Sequence, residues 1–106
     1  MVDQSSPKLH PDHAALALLW EEHQSADWPV SGDIHEGELM TLDTVVAGCV
    51  TYYFEERELD AQRIGILKDC LQDLENLMPD LESDSQFYFE RLYQLGERLL
   101  KLSPNA

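Results

Sequence analysis

In the second half of the chain, apolar residues recur at alternating intervals of three and four, a spacing that admits little besides an α-helix. Ile64, Leu67, Leu71, Leu74 and Met78 form one such series; Tyr88, Leu92, Leu95, Leu99 and Leu102 form another. At 3.6 residues per turn each series falls on one stripe of a helix, whereas a half-buried strand would need strict alternation. Leu39, Leu42, Val46, Cys49, Val50 and Tyr53 trace a third stripe. A fourth runs through Leu16, Leu19, Trp20 and His23, but Ala14, Ala15, Ala17 and Leu18 fill the rest of that circumference. A helix apolar nearly all round is expected to bury more than one side.

Local punctuation places the boundaries. Pro11 suits a first helical turn, where its missing N–H is no loss, and the helix it opens is predicted to run to about Gln24. Trp28-Pro29 and Ser31-Gly32 mark a loop, with Trp28 and Val30 pinning it to the core. The second helix starts between Asp33 and Thr41, Asp33 and Glu36 having the spacing of a capping box, and ends near Arg57. No Gly or Pro marks the next break, which charges place at Glu55–Leu59. Asp60 can cap the third helix, with Leu59 and Ile64 at the hydrophobic-staple positions. Pro79-Asp80 stops that helix, Ser83 and Gln86 form a capping-box signature for the fourth, and Ser103-Pro104 ends it.

These elements predict an all-α fold, an antiparallel four-helix bundle with a longer loop after the first helix. Residues 1–9 read as a flexible tail and residues 10–103 as a single helical domain. The competing architecture fuses helices two and three into one rod buried in a dimeric bundle. A chain of 106 residues holds one core.

Charge limits the partners. The chain carries 21 acidic and 7 basic residues, a formal net charge of −14. That field repels nucleic acid and anionic membrane surfaces, and it attracts a basic protein. The start of the chain lacks the basic and apolar regions of a secretory signal, and the longest apolar run, Ala14–Trp20, is too short to span a bilayer. A cytoplasmic protein is expected, with Cys49 and Cys70 reduced. Both cysteines have apolar neighbours and read as unreactive buried thiols, although a hairpin of helices two and three would set them nearly level.

Signatures of chemistry are scarce. His10, His13, His23 and His35 show neither a His-Glu-x-x-His nor a Glu-x-x-His motif, so no metal site is expected. The carboxylates Glu55, Glu56, Glu58 and Asp60, and Asp69, Asp73 and Asp80, lack the glycine turn of a calcium loop and read as solvated faces. There is no phosphate loop and no nucleophile elbow. Neither catalytic residues nor a cofactor is expected.

Apolar surface, by contrast, is in excess. Beside its main stripe the fourth helix carries Phe89, Tyr93, Gly96 and Leu100, with Gly96 allowing a close backbone approach. Val45 and Tyr52 flank the second helix and Leu18 the first. The triplets Tyr52-Tyr53-Phe54 and Phe87-Tyr88-Phe89 each span about 200° of a helix and cannot face one stripe. Phe89, Tyr93, Gly96, Leu100, Tyr52, Val45 and Leu18 form the candidate interface of a non-enzymatic interaction module that self-associates as a homodimer. The alternative is an acidic inhibitor or immunity-type protein covering a basic partner; a small enzyme or metal-binding protein is a third class.

Overall fold

The computed structural model describes residues 11–29 and 35–103; the expected tail, Val30 and the Asp33 capping residue lie outside them. Four helices pack as an antiparallel bundle: α1 (Pro11–Ser25), α2 (Glu36–Glu56), α3 (Ala61–Leu77) and α4 (Ser83–Lys101). Each stripe read from the sequence turns inward. Leu16, Val46, Val50, Leu67, Leu74, Leu92, Leu95 and Leu99 are fully shielded from solvent at the centre of the core. Among the described residues there is no strand.

Helices α2 and α3 are separate, which overturns the fused rod. The break is made by Arg57, whose φ of 64° is left-handed, so the right-handed helix cannot continue through it. Its N–H still donates to the Tyr53 carbonyl, closing the end of α2. A non-glycine residue in this conformation costs ~1–2 kcal/mol. Two features beside it offset that cost. Leu59 is buried with Ile64 in the core, as a staple requires, and the Asp60 carboxylate accepts the Arg63 N–H at 2.8 Å.

The entry to α4 differs from the expected capping box. The extended residue at the cap position is Glu82, not Ser83, and its carbonyl accepts the Gln86 N–H. Ser83 therefore lies inside the first turn. The Gln86 side-chain amide instead reaches back across the connection to the Met78 carbonyl, 3.0 Å away. Met78–Asp80 forms a single 3-10 turn after α3, where Pro79 cannot extend the helix, and Leu81 is buried.

Two further corrections concern packing. α1 does not bury several sides: Leu16 and His23 are interior, Leu19 and Trp20 are half-buried, and Leu18 is 65% exposed. Small Ala14, Ala15 and Ala17 leave little apolar area to hide, so the helix needs only one contact face. On α4 the second apolar stripe is largely absorbed by its own chain. A Cβ on Gly96 would stand 2.6 Å from Leu71 Cδ2 and 3.2 Å from its Cγ, so the missing side chain lets α3 and α4 close on each other.

The glycines consequently differ in sign. Gly96→Ala must displace buried Leu71, whose Cδ2, Cγ and Cδ1 all crowd the position, so an overpacking cost of up to ~3 kcal/mol outweighs the ~1 kcal/mol gain in helix propensity. Gly48 and Gly65 meet nothing within 4 Å of an added Cβ. Replacing either with Ala should stabilise the fold by ~0.5–1 kcal/mol, and Gly96→Ala should destabilise it. Urea unfolding of the three variants checks this; a stabilised Gly96→Ala would show that α3 and α4 pack more loosely than described.

Candidate functional site

A polar junction ties α1, α2 and α4 together. His23 is buried, and its Nε2 lies 2.8 Å from Asp43 Oδ1. The Tyr88 hydroxyl donates to the same oxygen at 3.2 Å. Arg91 Nε donates to His23 Nδ1 at 3.3 Å, so Nδ1 accepts and the ring proton on Nε2 donates to Asp43. Burial, with the Asp43 carboxylate next, raises the Tyr88 pKa and keeps its phenol a donor. Trp20 stacks on His23, and Trp28 meets Tyr88 and Phe89 edge-on.

The array is a closed hydrogen-bond network within the chain. Both His23 nitrogens are engaged within the chain, Nε2 by Asp43 and Nδ1 by Arg91. Among the described residues, no three His, Cys, Asp or Glu side chains converge as a metal site, and no helix is long and apolar enough to cross a membrane. A second cluster joins the far ends of α1 and α2, where His13 Nε2 lies 3.0 Å from Arg57 Nη1 and its ring packs against Tyr53 and Phe54.

The candidate interface does not form one surface. Phe89 is 1% exposed beneath Trp28, and Gly96 is buried against Leu71. Both therefore belong to the core, contrary to the expected strip. Trp28 is held over Phe89 by its indole N–H, which donates to Glu36 at 3.1 Å. Tyr93 and Leu100 are half-buried, and the Tyr93 hydroxyl donates to Glu75. Arg63 Cζ lies over the Tyr52 ring, 3.8 Å from the ring centroid, on the α2–α3 side, where Val45 lines a shallow depression with Gly48 and Ile66. Leu18 is on α1, where it lines a separate depression with Glu21, Glu22 and Arg91.

Of the large exposed apolar side chains outside the candidate interface, Phe87 at 75% is more open than Met40 and Ile66. It stands on the first turns of α4, where α3 ends, α1 ends and α2 begins. From Asp69 to Glu90 the chain has seven carboxylates and no Lys or Arg. Arg57, Arg63, Arg98 and Lys101 lie towards the other end, Lys68 is at the middle of α3, and Arg91, directly after Glu90, turns its Nε inward to His23. The bundle thus has one strongly anionic end with an exposed aromatic ring. The run without cations was the signal available in the sequence.

Asp43 carries two donors from two neighbouring helices. Asp43→Ala strands buried His23 and Tyr88 and should cost on the order of 3 kcal/mol, while Asp43→Asn keeps an acceptor and should cost about 1 kcal/mol. Thermal unfolding decides it; equal losses would mean that the junction does not work through hydrogen bonds. The cysteines provide a pH test. Burial raises the Cys49 pKa, and burial with Cys49, Asp73 and Asp69 nearby moves Cys70 from 9.0 to about 11. A raised pKa favours the neutral thiol in the fold. That stability is present below pH 9 and lost as pH rises through about 11. Thiol reagents should label the native protein slowly at neutral pH and quickly in denaturant; rapid native labelling would refute the burial of both thiols.

No known protein family, curated protein or solved structure matches this chain, so its functional reading rests on its own geometry.

Proposed function

We propose that this chain is a non-enzymatic interaction module that engages a basic protein partner through the anionic end of its bundle. The observation that carries this reading is the exposed Phe87 ring in a stretch of seven carboxylates without a cation. A phenyl ring has no polar tip to hydrate, and aromatic residues are enriched where interfaces concentrate their binding energy. Surrounding carboxylates speed encounter with a positively charged surface and disfavour acidic partners.

Of the readings drawn from the sequence, this surface favours the acidic inhibitor. The self-associating bundle loses support, because its expected strip has Phe89 and Gly96 in the interior. A second copy would also bring a like-charged end to the Phe87 surface.

The test compares charge reversals at the two ends. Glu82, Asp84 and Glu90 are exposed near Phe87, and Glu55 and Glu56 are exposed at the far end of α2. A protein captured on the immobilised chain should be basic and should release steeply with salt, since exposed charges are screened over ~8–10 Å. It should be lost from the Glu82→Lys/Asp84→Lys/Glu90→Lys variant and kept by Glu55→Lys/Glu56→Lys. An acidic partner, or the reverse order of loss, would overturn the reading.

A further inference from the structure

We infer that the partner is seated in the cleft between the end of α3 and the start of α4, and that this cleft takes an arginine side chain flanked by an apolar residue. The inference rests on the proposed reading and specifies its site. The cleft has a volume of about 380 Å³ and is lined by Glu75, Met78, Pro79, Gln86 and Glu90. A smaller hollow of about 210 Å³, bordered by Ser83 and Phe87, shares Gln86 and Glu90 with it. Apolar floor, carboxylate walls and exposed ring are therefore contiguous.

The cleft is formed before any partner arrives. The Gln86 amide bonded to the Met78 carbonyl ties one wall to the other, and Pro79 stiffens the turn beneath. The Tyr93 hydroxyl donates to Glu75 and orients that carboxylate. Among the described residues neither Glu75 nor Glu90 has an ion-pair partner. Glu75 also sits in the last turn of α3, where the helix dipole disfavours a negative charge and no basic residue relieves it. A cation from outside would satisfy both carboxylates. Arginine fits better than lysine, because its planar fork can bridge two carboxylates and its face stacks on an aromatic ring such as Phe87. An apolar neighbour would cover Met78 and Pro79.

The probe is an amphipathic helical peptide of about 15 residues that places two Arg and one Leu on one face. It is titrated into the isotope-labelled full chain and followed by NMR. Shift changes centred on residues 75–90 are expected. Affinity should fall roughly tenfold or more for Phe87→Ser and for Glu75→Gln/Glu90→Gln, and should also fall when the peptide's Arg are replaced by Lys. Phe87 is exposed, so its variant keeps the fold, and the melting temperature verifies that. Loss of binding in Glu82→Lys/Asp84→Lys, with Phe87→Ser and Glu75→Gln/Glu90→Gln unchanged, would overturn the cleft and leave the basic-partner reading standing. Shifts spread evenly over both ends of the bundle, or no binding at all, would overturn both.

Discussion

One carboxylate holds three of the four helices in register. Asp43 on α2 receives His23 from α1 and Tyr88 from α4 on a single oxygen. α1 has few other anchors: one fully buried leucine, half-buried Leu19 and Trp20, a row of alanines, and His13 against Tyr53 and Phe54 at its start. Its hydrophobic contribution is correspondingly small, at ~25 cal/mol per Å² of apolar area buried. A directional bond specifies what apolar area cannot, namely which face of α1 turns inward and at what height it sits. With His23 placed, its ring packs on Tyr88 and is stacked by Trp20, and Trp28 covers the aromatic pair Tyr88 and Phe89. That packing closes the loop side of α4 and leaves Phe87 outside.

Phe87 and Phe89 show why helical phase alone does not decide exposure. The stripe through Tyr88, Leu92, Leu95 and Leu99 fixes the inward direction of α4, and the two phenylalanines then lie about 100° to either side of Tyr88. Phase treats them alike. Their neighbours do not: Trp28 covers Phe89, and α3 closes on the same flank at Gly96, while nothing covers Phe87. The excess apolar surface suggested by the sequence on α4 thus resolves into interior Phe89 and Gly96, half-buried Tyr93 and Leu100, and the exposed Phe87 ring.

What was legible in the chain was whatever depends on near neighbours in sequence. The stripes of α2, α3 and α4, the Asp60 cap with its Leu59–Ile64 staple, and the stop at Pro79 all act within a few residues, and all are present. The break at Arg57 was located only by its charges, because the left-handed turn carries no glycine. The Asp43 junction joins residues 20 and 45 positions apart, and apolar periodicity reports nothing about which polar atoms will meet across helices. The Gly96 contact was read with the correct physics and the wrong partner: a close approach does occur there, but the atom that arrives belongs to Leu71 of the same chain.

The placement of charge gives the last constraint. α4 follows the helix dipole, with Asp84 in its first turn and Arg98 and Lys101 in its last. α2 and α3 do not: neither has a basic residue in its last turn, and carboxylates stand there instead. Each such charge lowers stability by ~0.3–1 kcal/mol at low ionic strength, and a net charge of −14 adds repulsion across the whole bundle. Solubility would be served as well by the same number of carboxylates at helix N-termini, where they stabilise. At the end of α2 the cost is shared with Arg57 nearby, whereas the anionic stretch around the end of α3 has no such counterweight. A cation supplied from outside would relieve α3's dipole and its carboxylates together, so binding there would also stabilise the fold that presents the site.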